Sequence, residues 1–244
     1  MNAVNNNLMP QMKIGIMQPY LFPYIGYFQL INAVNRFVIH DDVQYIKGGW
    51  INRNRIQVQN EDHLFTFSLK KDRSFNKINA RVFSSELFRE KIAFLRFIKF
   101  NYKSAPYFSE SFDLLEEILS INDNRVSPFI TNSLKLICGY LDIDTSFYIS
   151  SELKKNNELK GQNRVVEICQ KLKGNIYINL SGGKKLYSKE VFKEHGIKLL
   201  FLETGEIEYE FGKSFFIPNL SIIDVLMYNS RQHIKELLKQ CSIS

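Results

Sequence analysis

Between residues 14 and 42 an apolar stretch (Ile14, Ile16) leads into Gln18, two prolines and Tyr20, Tyr24 and Tyr27. A helical pattern follows at 28–36, then a second apolar run (Phe37, Val38, Ile39) that stops at His40-Asp41-Asp42. A strand, a helix and a strand set so close together demand a crossover between parallel strands. Both strands hand over to polar and aromatic residues at their C-terminal ends, which is how an open α/β sheet builds a ligand crevice. The feature points to a small-molecule site.

The same alternation recurs later. Strands are expected at 63–69, 80–84, 146–150, 175–180 and 198–203, and helices at 163–172 and 188–196. Residues 219–240 read as one long helix opened by Asn219 or Ser221. From Glu86 the period changes: 85–105, 107–121 and 127–141 each carry apolar residues three and four apart, with Ser127-Pro128 as a helix start. These patterns predict an α/β fold with a mostly parallel open sheet and a helical insertion at about 85–143. Residues 12–244 are expected to form a single domain, and residues 1–11 (MNAVNNNLMPQ) a disordered leader with Met12 as an alternative start.

Composition narrows the class. No apolar run approaches the roughly 18 residues that a membrane span needs. Cys138, Cys169 and Cys241 are odd in number and scattered, without metal-ligand spacing, so no metal site is expected from them. Buried thiols suit a reducing compartment, and the cytoplasm is the expected location. The formal charge of +7 is spread along the chain. It reads either as a solvated basic surface or as attraction for polyanions such as nucleotides or tRNA.

Six segments hold candidate residues. In the first, Gly26 lets backbone approach a phosphate at a helix N-terminus, or else the prolines and Gly26 merely shape a turn. Asp41 and Asp42 offer a carboxylate for a substrate amine, for Mg²⁺ or for general base work, or else a capping turn. Alternation sends them to opposite sides, so one at most reaches the crevice, while His40 packs. The stretch Lys47 to Arg55 combines hinge glycines with Trp50, Asn52 and Arg53, suited to a loop that closes over a sugar or nucleotide. Ser181, Gly182, Gly183 and Lys184 follow a strand and precede a helix, a context for phosphate, although the P-loop spacing is absent. Arg164 begins a helix that faces the first motif if the sheet is wound in two halves. Asp224 reads as a buried paired acid or a cap.

The segments IGIMQPYLFPYIGYFQLI, HDDVQYIKGGWINRNRI, KGQNRVVEIC, YINLSGGKKLYSKEVFKEHGIKLLFL and FFIPNLSIIDVLMYN closely resemble the WbqC-like family. The first also resembles the opening turn of nucleotidylyl-transferase-like folds, a Rossmann-like class. Tyr27 stands where those folds place a histidine, and an uncharged phenol does not neutralise phosphate as an imidazolium does. The family resemblance implies a role in bacterial O-antigen or surface polysaccharide assembly, with glycine transfer suggested, and supplies no catalytic residues to carry over. The expectation is a transferase or ligase that joins glycine or another acyl group to an amino sugar or nucleotide-sugar. Its donor would be activated by ATP with Mg²⁺ or carried on tRNA. On that expectation Asp42, Asp41 and Lys184 are catalytic; Gln18, Tyr20, Tyr27, Trp50, Asn52, Arg53 and Arg164 bind substrate; Gly26, Ser181, Gly182 and Gly183 bind phosphate. The alternative is a non-catalytic glycan- or nucleic-acid-binding accessory protein.

Overall fold

The computed structural model describes residues 11–73, 75–205, 207 and 216–244. Nearly all of the expected leader lies outside the described residues. Among them, the order is β1 (Lys13–Met17), α1 (Ile25–Ala33), β2 (Arg36–Ile39), β3 (Arg53–Val58) and β4 (Glu61–Thr66). Helices α2 (Leu87–Tyr102), α3 (Phe108–Ser120) and α4 (Val126–Tyr140) come next. The second half runs β5 (Ser146–Ile149), α5 (Gly161–Lys171), β6 (Ile176–Leu180), α6 (Lys189–Glu194) and β7 (Lys198–Thr204). It closes with α7 (Ile222–Tyr228), α8 (Arg231–Leu237) and β8 (Cys241–Ile243).

Six strands form one sheet in the order β5-β2-β1-β6-β7-β8, parallel except for β8. The chain winds outward from β1 through β2 to β5, then returns to pair β6 on the other side of β1. That is the Rossmann-type order, and its direction reverses between β1 and β6. Side chains of each strand alternate between two cores. Phe37 and Ile39 pack with α1 and the helical insertion, whereas Val38 joins Ile14, Ile16 and Tyr177 against α5 and α6. Both faces are therefore covered by helices, as parallel sheets require.

Three expectations are corrected. The strand expected at 63–69 is one arm of a hairpin, β3–β4, outside the main sheet. Its turn is Gln59-Asn60, both with positive φ (52° and 68°), the backbone hand that fits the twist of paired strands. Residues 80–84 make only isolated bridges, Leu69 to Phe83 and Val82 to Arg125. The long final helix breaks at Asn229-Ser230, because the Ser230 hydroxyl accepts from His233 N at 3.1 Å and starts α8 anew.

Candidate functional site

The β1–α1 loop is the best-anchored irregular segment at the switch point. Leu21 N donates to Trp50 O (3.3 Å), and Asn54 Nδ2 donates to the carbonyls of Leu21 (2.9 Å) and Phe22 (2.7 Å). From the other side Ser221 Oγ donates to Phe22 O (2.8 Å) and Ile222 N to Pro23 O (3.0 Å). Phe22 sits at φ 44°, a conformation costly for an aromatic residue, and these bonds over-determine it. The result fixes Tyr20 and Tyr24 at the C-terminal edge of the sheet.

Two contiguous hollows open there. The larger, about 690 Å³, is lined by Tyr24, Ile25, Ser181, Glu203, Thr204, Phe216, Asn219 and Val225, among others. The smaller, about 280 Å³, is lined by Tyr20, Pro23, Tyr24, Trp50, Asn54, Arg55 and Asn219. Tyr24 and Asn219 form the shared wall. The proline-tyrosine turn and the start of the 181–186 turn thus meet around one space. Trp50 is 40% exposed, and the guanidinium carbons of Arg53 and Arg55 lie 5.6 and 5.3 Å from its ring centre. Lys184 pairs with Glu203 beside the larger hollow.

The remaining sequence candidates go elsewhere. Tyr27 is fully buried, its hydroxyl donating to Gln18 O at 2.8 Å. A phenol with a backbone acceptor sits comfortably in a core, so the tyrosine closes the loop from behind. Asn52 is buried and ties Tyr45 to Phe67 O (2.8 and 2.7 Å). Arg53 holds the carbonyls of Gly48 and Gly49 within its own loop. Arg164 is buried, donating to the carbonyls of Leu159, Asn157 and Asp42 at 2.7 to 3.2 Å. Gly26 is required for packing: a Cβ there would lie 2.6 Å from Thr204 Oγ1 and 2.4 Å from the Tyr24 ring. Gly183 makes room for the Asn179 amide, which a Cβ would meet at 2.5 Å, whereas Gly182 faces open space.

Asp41 and Asp42 do diverge, and neither lines the paired hollows. Asp42 faces Lys155 Nζ at 2.8 Å and accepts from Ser150 Oγ at 2.7 Å, with Arg164 Nη1 at 3.7 Å and His40 Nε2 at 3.8 Å. Burial opposes its ionisation, yet these hydrogen bonds and charges win and hold the carboxyl below its ordinary value. His40 is pushed down to about 4 by burial, with Arg164 and Lys155 adding to the effect against Asp42. Asp41 instead accepts from Ser151 N, Ser151 Oγ and Ser127 Oγ at 2.8 to 3.2 Å. Such a diverging pair makes no shared cage for Mg²⁺. Among the described residues no three His, Cys, Asp or Glu side chains gather in a metal-binding group. None of the described helices is long and apolar enough to cross a membrane.

Asp224, fully buried on α7, accepts from Tyr102 Oη (2.6 Å) and Gln57 N (3.0 Å). Burial pushes its carboxyl up to about 7 despite those bonds. Arg55, Glu203, Thr204 and Asn219 escaped the sequence reading as site residues. The one local signal was Asn219, whose φ of 59° is a conformation that asparagine tolerates.

The family model that matches the chain is that of the WbqC-like protein family, over residues 18–236. A relative from Mycobacterium tuberculosis (strain ATCC 25618 / H37Rv), named Uncharacterized protein Rv1507c, is 29% identical over 232 residues, covering 94% of this chain and 98% of the relative. No solved structure matches.

Proposed function

The chain belongs to the WbqC-like protein family, and from that premise we propose that it is a group transferase whose two substrates meet in the paired hollows. The observation that carries this reading is the shared wall of Tyr24 and Asn219, which separates two compartments without isolating them. A transfer reaction needs donor and acceptor side by side, and adjacent compartments supply that proximity. The smaller one offers Trp50 for a flat ring and Arg55, whose exposed pair with Asp62 (2.7 Å) a ligand anion can share, for an anionic group, features of a nucleotide or nucleotide-sugar. The larger one offers Ser181, Thr204 and Asn219 for hydroxyls.

In this reading the transferred group is an acyl or aminoacyl unit, glycine included, and the acceptor is an amino sugar. Glu203, rather than Asp42, is the carboxylate that faces the acceptor amine, and Lys184 holds it by ion pairing. Lys184 also supplies positive charge where a leaving phosphate would develop negative charge. If ATP activates the donor, it would supply the phosphoryl group that turns the donor carboxylate into a reactive acyl donor, with pyrophosphate leaving and the nucleotide monophosphate released when the amine attacks. The ATP phosphates would be held by Lys184 and by the backbone at Gly182, which faces open space, rather than by the closely packed start of α1. A charged tRNA is the alternative donor.

Thermal melting with ATP and a panel of nucleotide-sugars tests the reading. At a ligand concentration a hundred times its Kd, stabilisation of about 2.7 kcal/mol is expected, a rise of several degrees. Tyr24→Ala and Arg55→Ala should remove most of that rise; Arg55→Ala should leave the unliganded melt nearly in place, whereas Tyr24→Ala lowers it as well because its ring packs against the core. No rise with any nucleotide or nucleotide-sugar, or an undiminished rise in both variants, would overturn it.

A further inference from the structure

Where β2 and β5 end beside the start of α4, a separate polar hollow of about 420 Å³ opens, sharing no lining residue with the paired hollows. Asp41, Ser127 and Thr131 line it, each at least 97% buried, and Lys135 stands exposed at its edge. Two of its features are unexplained by folding. The Thr131 hydroxyl is buried and has no hydrogen-bond partner among the described residues. A lone buried hydroxyl is a cost that a packed helix avoids by turning outward or by bonding the preceding turn. The Asp41 carboxylate is the second: serines supply its three hydrogen bonds, but among the described residues no cation pairs with it. Of the nearby cations, Lys155 and Arg164 are committed to Asp42 and Arg125 to Asp123, while Lys135 stays at the exposed rim and forms no ion pair with Asp41. Burial, joined by the Asp42 charge, pushes the Asp41 carboxyl up against the pull of its serine donors.

A buried carboxylate without a counter-charge, open to a cavity, lacks a positive group that a ligand can bring. We infer that this hollow binds a small molecule bearing a primary ammonium group, with Asp41 supplying the charge and Thr131 a hydroxyl acceptor. The ammonium fits because it needs several acceptors in a small space, and the Asp41 carboxylate, the serine hydroxyls bonded to it and the unpartnered Thr131 oxygen all belong to the walls of this one hollow. An anion is disfavoured by Asp41 at the floor. A bare metal ion is disfavoured because one carboxylate among hydroxyls makes a poor cage and leaves most of the space unfilled. This site does not depend on the transfer reading, because it shares no lining residue with the paired hollows.

The test is titration calorimetry on the full chain with 2-amino-1,3-propanediol against glycerol, which has a hydroxyl in place of the amine. The amine is expected to bind at least about tenfold more tightly, the usual margin for a hydrogen bond to a charged group. Asp41→Asn should remove that preference. Thr131→Val should weaken amine binding without lowering the melting temperature, since the hydroxyl it removes has no partner, and it carries the test if Asp41→Asn does not fold. Equal binding of the two compounds, no heat with either, amine binding that survives both substitutions, or Mg²⁺ binding in its place with the same Asp41 dependence would each overturn the assignment.

Discussion

Two lysine–carboxylate pairs stand at the C-terminal edge of the same sheet, and they are opposites. Lys155 and Asp42 lie at the outer end, where their side chains are 0% and 4% exposed; Lys184 and Glu203 lie at the switch point, 48% and 49% exposed. The first pair is walled in by Ser150, His40 and Arg164, so every charge has a protein partner. The second borders a hollow and is open to water. Equal chemistry in the sequence becomes structure in one place and availability in the other, because burial decides how far a charge is bound to its neighbours.

Breaking the buried pair should give the largest effect. Lys155→Met leaves Asp42 enclosed with only the more distant Arg164 as counter-charge, and roughly 3–5 kcal/mol of stability should go, the usual cost of orphaning a buried charge. Urea unfolding at neutral pH measures it. A loss under about 1 kcal/mol would mean that Arg164 alone suffices as counter-charge.

Gly26→Ala comes next, at roughly 1–3 kcal/mol, because the new methyl must displace Thr204 or the Tyr24 ring. Gly182→Ala, facing open space, should change stability little by comparison. If both are neutral, the start of α1 is looser than its contacts with β7 imply.

A smaller, pH-dependent effect ties the two ends together. Asp224 titrates at about 7 in the fold against an ordinary 3.8, so the folded state binds the extra proton between those values and stability falls as pH rises. His40 titrates at about 4 against 6.5, so there the unfolded state binds the extra proton and stability rises with pH. Between about pH 4 and 6.5 the two slopes oppose each other, each near 1.4 kcal/mol per pH unit at most. Asp224→Asn should unmask a rising curve and His40→Gln a falling one. Curves that stay parallel to wild type would show that neither group is shifted as its burial implies.

Much of the fold was legible because strands buried on both faces print apolar runs, as at 36–39 and 176–180. The β3 strand was not, since Asn54 points inward on it and spends its amide on the β1–α1 loop, so a buried position reads as polar. Terminal β8, three residues long, carried too little pattern. For the site, alternation foretold that Asp41 and Asp42 part ways. Their fates were hidden because the deciding partners lie far along the chain: Ser150 is 108 residues from Asp42 and Ser151 is 110 from Asp41. The diglycine turn was found by its context, but its glycines serve neighbouring side chains as much as any ligand.

Lys184→Met should change stability least and discriminate most sharply between the two pairs. An exposed pair contributes at most about 1 kcal/mol, so the unliganded melt should barely move. If the charge at the switch point is held for a ligand, the same variant should lose much of the heat stabilisation that a nucleotide or nucleotide-sugar confers. That separates the two ends by kind: Lys155 shows in the unfolding curve alone, Lys184 in the ligand response alone. A Lys184→Met protein that melts several degrees lower and responds to ligand as before would reverse the assignment, making the open pair a strut and leaving the hollow beside it without its cation.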